Sequence, residues 1–288
     1  MKRLLPAIAV FLFAGAHAWA QERVSFDSRD GDLTGGKPTR IEALLTRPDG
    51  PGPHPAILAL HGCGGMYVKT GSRAGLVLSR DLAWVERFRA RGYVVLQPDS
   101  FGPRGAREVC SQKERTIDSR RERPRDAHGA LAWLAAQPFV DPKRIALLGW
   151  SHGGGTTLAT IAENAPGRVP GADFRAAVAF YPGCSDPRTS AWARDWRPRV
   201  PLLILNGELD DWTPAAPCRP LAEANAARAV ELVIYPGAYH DFDEPGSRVR
   251  VVEGLGRAPG GKAHVGPEPA ARADAIERVP DWIAARLR

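Results

Sequence analysis

The stretch Gly149-Trp150-Ser151-His152-Gly153 follows the apolar run Ile145-Ala146-Leu147-Leu148 and leads into Gly154-Gly155-Thr156-Thr157-Leu158. The run reads as a buried strand, and the residues after it can open a helix only if the chain turns sharply at the serine. Such a turn holds the serine in a strained conformation, and a Cβ at either flanking glycine would strike the neighbouring strand or helix. This is a nucleophile elbow, with Ser151 as the expected nucleophile at the carboxyl end of a strand. In a chain with 30 glycines the G-x-S-x-G pattern also arises by chance. The rest of the sequence has to supply its partners.

A serine hydroxyl is a poor nucleophile until a base removes its proton, and that base needs a carboxylate to orient it. After Ser151 the run Pro201-Leu202-Leu203-Ile204-Leu205 reads as a strand that empties into Asn206-Gly207-Glu208-Leu209-Asp210-Asp211-Trp212-Thr213-Pro214. Glu231-Leu232-Val233-Ile234-Tyr235 reads as another, followed by Pro236-Gly237-Ala238-Tyr239-His240-Asp241-Phe242. Both loops stand past strand carboxyl ends, where open parallel sheets place their active sites. His240 is the expected base. His54, His61 and His128 precede the serine, and His152 adjoins it and faces away. His264 competes, but it lies in a Gly- and Pro-rich stretch with no apolar strand before it to aim it. Asp210 and Asp211 are both candidates for the acid.

The oxyanion formed when Ser151 attacks a carbonyl needs hydrogen-bond donors. Pro55-Ala56-Ile57-Leu58-Ala59-Leu60 reads as an early strand opening into His61-Gly62-Cys63-Gly64-Gly65. The backbone N–H groups of His152 and Cys63 are the expected donors, with Gly62 as the alternative to Cys63.

On these segments, together with Pro98-Asp99-Ser100-Phe101-Gly102-Pro103-Arg104-Gly105 and His240-Asp241-Phe242, the chain resembles the dienelactone hydrolase family of α/β-hydrolases from about Pro55 onward. The resemblance implies an eight-stranded, mostly parallel twisted sheet with helices on both faces, and acyl transfer to water without metal or cofactor. It selects Asp210 as the acid, because the family's acid stands four residues before a proline, here Pro214. Members that open dienelactones use a cysteine nucleophile and a glutamate where this chain has Ser151 and Gly62. The chemistry therefore carries over and the substrate does not. A monomer acting on a small carboxylic ester or lactone is expected. A prolyl-oligopeptidase-like peptidase and a non-catalytic binding protein on the same scaffold are the alternatives. The implied strand order also puts the loops of Cys63 and Cys110, and those of Cys184 and Cys218, after adjacent strands, so these are the expected disulfides.

Met1-Lys2-Arg3, the apolar stretch from Leu4 to Ala16 and Ala18-Trp19-Ala20 read as a signal peptide over residues 1–20, ahead of a hydrolase domain over 21–288. Its apolar run is too short to span a bilayer, so periplasmic export without a stable membrane anchor is expected. Removing Lys2 and Arg3 takes the net charge from +7 to +5. The densest basic run, Arg120-Arg121-Glu122-Arg123-Pro124-Arg125, opens an amphipathic helix with Ala127, Ala130, Leu131 and Leu134 on its apolar stripe. Glu122 and Pro124 interrupt it, so it reads as a solvated helix end rather than a nucleic-acid surface. Further strands are read at Val24–Phe26, Arg40–Leu45, Tyr93–Leu96 and Ala176–Phe180, and a closing helix over Ala270–Leu287 that Pro280 should kink or split. Residues 103–115 and 245–269 are the irregular segments expected to cover the site. Trp150 and Trp212, with Phe101 and Tyr181, are candidates to line the acyl pocket.

Overall fold

The structure, a computed structural model, describes residues 21–168, 171–185, 187–246 and 248–288. The signal-peptide expectation over residues 1–20 lies outside the described residues. The main sheet has eight strands: β1 (Glu22–Asp27), β2 (Arg40–Thr46), β3 (His54–Leu60), β4 (Val94–Asp99), β5 (Val140–Trp150), β6 (Ala176–Phe180), β7 (Leu202–Gly207) and β8 (Val230–Tyr235). Their order is β1-β2-β4-β3-β5-β6-β7-β8. Only β1–β2 and β2–β4 pair antiparallel; the other five ladders are parallel. Every apolar run read as a strand is one, because runs of Val, Ile, Leu and Ala suit strands covered on both faces.

Strict alternation along β5 sorts its side chains between two cores. Ile145 and Leu147 join α2 (Glu122–Ala135) and α3 (His152–Thr160) on one face. Ala146, Leu148 and Trp150 join α1 (Ser79–Ala90) and α6 (Pro269–Arg286) on the other. Two short helices, α4 (Ala191–Asp195) and α5 (Cys218–Glu223), complete the first layer. Helix α6 is not split at Pro280 as its sequence suggested: it runs unbroken over 18 residues. Proline removes one backbone hydrogen bond, but Ala275, Val279 and Ile283 are fully buried against the sheet and hold the helix through it.

Two covalent ties brace the loops at the carboxyl edge. Cys63–Cys110 joins the loops after β3 and β4, and Cys184–Cys218 joins those after β6 and β7, in the expected pairing. The segment 245–269 is less irregular than its composition indicated. It folds a hairpin of β9 (Arg250–Glu253) and β10 (Lys262–Val265), which docks through a parallel bridge from Val265 to His240.

Candidate active site

Ser151 closes β5 with φ = +53° and ψ = −113°, and α3 starts at the next residue. Glycines make the turn possible. A Cβ on Gly149 would lie 2.2 Å from the Gly153 carbonyl oxygen, and one on Gly153 would lie 2.1 Å from that of Leu60. Neither can be relieved without moving backbone. A Cβ on Gly62 would stand 3.6 Å from that of Ser151, which places the loop after β3 directly beside the serine. The Cys63 carbonyl accepts from Val109 N–H at 2.9 Å, so that loop is fixed by both a hydrogen bond and its disulfide.

His240 follows β8 and is 1% exposed. Its Nδ1 lies 2.8 Å from Asp210 Oδ2 and 3.0 Å from Thr213 Oγ1. The Asp210 carboxylate also accepts from the N–H groups of Trp212 and Thr213, at 2.9 and 2.7 Å, and from Thr213 Oγ1 at 2.9 Å. A carboxylate held this way keeps the imidazole proton on Nδ1 and turns the Nε2 lone pair outward. His240 Nε2 is buried and has no hydrogen-bond partner among the described residues. It shares with Ser151 a cavity of about 300 Å³ that Gly62, Cys63 and Trp212 also line. Burial opposes protonation of His240, but the charge and hydrogen bond of Asp210, with Asp241 adding, outweigh it and raise its pKa above the ordinary 6.5.

Tyr181 and Trp212 flank the imidazole, with ring centroids 4.4 and 4.8 Å away. Behind it the Tyr181 hydroxyl donates to Asp243 at 2.6 Å, and Arg80 bridges Tyr181, Asp81 and half-buried Asp241. Tyr181 and Asp241 have positive φ, +35° and +58°. Together with Ser151 they account for three of the four such non-glycine residues among those described, so backbone strain concentrates at this site.

Ser151, Asp210, His240, Cys63, His152 and Trp212 are thus brought to one place, and Trp150 is not. Its indole lies 1% exposed in the core on the α1–α6 face, stacked on Phe180, with Nε1 donating to Asp243 at 2.9 Å. The parity of β5 puts it there: Trp150 falls on the same side of the strand as Leu148 and Ala146. Phe101 is likewise a core residue, at 1% exposure, and Tyr181, fully buried, packs against the His240 ring without lining the cavity. Sequence reading also missed Thr213, Arg80 and Asp243, which carry no motif of their own. His264, expected to be unaimed, sits in β10 and binds Asp211 through Nδ1 at 2.8 Å.

The basic run at the start of α2 is not a solvated end either. Arg123 is fully buried with a terminal nitrogen 2.8 Å from His152 Nδ1, and Arg125 pairs with Asp32. Burial first, then the Arg123 charge, holds His152 well below its ordinary pKa and therefore neutral.

Residues 41–287 match the dienelactone hydrolase family. The chain belongs to that family. Among solved structures of the same fold, a dienelactone hydrolase-like promiscuous phosphotriesterase from metagenomic libraries is 18% identical with a TM-score of 0.62, covering 93% of this chain and 99% of that one. A thermophilic esterase from Thermogutta terrifontis, with propionate bound, is 20% identical with a TM-score of 0.61, covering 90% and 93%. The quorum-quenching protein AidA of Acinetobacter baumannii is 32% identical over 148 residues, 49% of this chain and 39% of that protein. The chain spans less than half the length of the curated relatives it matches. With the family comes the fold: the described residues form the sheet and helix layers of an α/β-hydrolase, braced by two disulfides. No helix among the described residues is long and apolar enough to cross a membrane.

Proposed function

We propose that this family member is an exported serine hydrolase that cleaves carboxylic esters through an acyl-enzyme. One observation carries this reading: a strained, pocket-lining Ser151 shares its cavity with a buried His240 whose Nε2 is free and whose Nδ1 is tied to Asp210. In this mechanism Ser151 Oγ bonds the substrate carbonyl carbon as its proton passes to His240 Nε2. The N–H groups of Cys63 and His152 hold the oxyanion. The C–O bond to the alcohol then breaks, and His240 returns the proton to the departing alkoxide. Water attacks the acyl-enzyme by the same route in reverse and releases the acid. Asp210 stays ionised and stabilises the imidazolium. The two disulfides accord with an oxidising compartment outside the cytoplasm.

Lys69 and Leu78 and parts of the 103–115 and 245–269 segments frame the cavity, an opening of about 300 Å³ that suits a small ester, which supports esters over peptides. Solved structures similar in fold include an esterase with propionate bound and with butyrate bound, which supports short acyl groups as first substrates. Initial rates on short-chain acyl esters and on aminoacyl arylamides test the choice. Turnover of esters alone is the expected result, and turnover of arylamides alone would replace it with the peptidase reading.

A further inference from the structure

Ser151 and Trp212 stand on the walls of two cavities, not one. The first, which holds His240, is electrically balanced: Lys69, Arg80 and Arg250 are matched by Glu108, Asp241 and Glu253. The second, of about 470 Å³, is lined by Arg115, Arg120 and Arg257 against a single carboxylate among the described residues, Asp118. Asp118 Oδ2 is 3.9 Å from Arg257. Arg120 donates to the Ser185 hydroxyl at 2.7 Å and stacks over Trp192, and Arg115 donates to the Val109 carbonyl at 3.2 Å. Those partners are neutral, so the positive charge of the cavity is largely uncompensated.

The chemistry of Ser151 decides which half of a substrate enters which cavity. His240 must hand its proton to the leaving alkoxide, so the alcohol half lies in the first cavity. His152, whose N–H is the oxyanion donor of the proposed mechanism, lines the second. The acyl half, which stays on Ser151, extends there.

We propose that the second cavity binds a carboxylate carried on the acyl half, so that the esters cleaved are half-esters of dicarboxylic acids. This rests on the serine hydrolase reading above and narrows its substrate class. Guanidinium forks match carboxylates in geometry as well as charge. The three arginines also crowd one another: burial, then the charge of Arg257, brings Arg115 down to about 10. Burial lowers Arg120 as well. An arriving anion relieves both penalties. The reaction balances without a further reagent: the Ser151 Oγ–carbonyl bond forms, the ester C–O bond breaks, the alcohol leaves with the serine proton, and water releases a dicarboxylate and one proton.

The test compares kcat/KM of the mature protein on para-nitrophenyl hemiglutarate and on para-nitrophenyl pentanoate, with para-acetoxybenzoate and phenyl acetate as the mirror pair. A hemiglutarate preference of about tenfold or more is expected. The preference should fall about tenfold in Arg120→Gln or Arg257→Gln, survive in part in Arg120→Lys, and rise in Asp118→Asn. The opposite signs at Arg257 and Asp118 are beyond what loss of folding can produce. Equal rates on the charged and neutral acyl esters, or a preference confined to para-acetoxybenzoate, would overturn the proposal. Labelling of Ser151 by a fluorophosphonate separates the two levels. Labelled protein with no hemiglutarate preference defeats this inference alone, whereas unlabelled folded protein that turns over no ester defeats the reading beneath it as well.

Discussion

Asp210 and Asp211 are neighbours in sequence, and each holds a histidine through a 2.8 Å contact to Nδ1. The side chains of Asp210 and His240 are 0% and 1% exposed; those of Asp211 and His264 are 44% and 45% exposed. Geometry at the contact is the same and the surroundings are not. In water such a pair is screened and contributes about 0–1 kcal/mol. In the buried site the same contact governs the tautomer and pKa of His240 and leaves its Nε2 facing Ser151's cavity. His264 instead stacks on Tyr239 at 5.0 Å and ties the β9–β10 hairpin to the loop after β7, with its own N–H also donating to Asp211 at 2.9 Å. The two pairs share a motif but differ in what they do: in the proposed mechanism one is placed for proton transfer, while the other fastens a covering segment.

The largest separation between them should appear on removing the histidines. His240→Ala is expected to lower kcat by about ten-thousandfold or more, while His264→Ala changes it only a few-fold; steady-state rates on a short ester measure both. Equal losses would erase the distinction. Removing the carboxylates comes next. Asp210→Asn should cost about ten-thousandfold through the wrong tautomer, and Asp211→Asn should cost less than about 1 kcal/mol of stability, read as a small drop in Tm.

The pH profile sharpens the same contrast. Catalysis needs neutral His240, and its pKa is raised above 6.5, so kcat/KM should fall as pH drops through a midpoint above that value. Asp210→Asn removes the main influence that raises it and leaves burial, which favours the neutral ring. The midpoint of the residual activity should therefore move to lower pH, whereas Asp211→Asn leaves it in place. The smallest effects divide the two tryptophans. Trp212→Ala should raise KM several-fold, whereas Trp150→Phe should leave KM near its original value and cost about 1–3 kcal/mol of stability, because Asp243 loses a buried donor. Chemical denaturation alongside ester kinetics measures both.

Much of this was legible in the residues. The sheet could be read strand by strand because each buried strand is a short, near-continuous apolar run, and the elbow could be read because only glycine fits at 149 and 153. The chain order of Ser151, Asp210 and His240 follows from loops at one edge of that sheet. What escaped is non-local or depends on orientation. Strands β9 and β10 are only four residues each, and the alternation of Lys262-Ala263-His264-Val265 is too short to stand out among the surrounding glycines and prolines, so nothing marked His264 as held. Arg120 and Arg123 look solvated in sequence, and only the fold folds them inward, one toward a cavity and one beneath His152. Trp150 was misplaced for a simpler reason: its position next to Ser151 suggested the pocket, while the two-residue period of β5 sends it to the opposite face.

The central claim is that burial has made Ser151 a working nucleophile through His240 and Asp210. The most direct measurement is fluorophosphonate labelling of the mature protein with peptide mapping, repeated in Ser151→Ala, His240→Ala and His264→Ala. Labelling confined to Ser151, lost in the first two variants and kept in the third, is the expected result. Folded protein that takes up no label, or labelling of Ser151 that survives in His240→Ala, would contradict it.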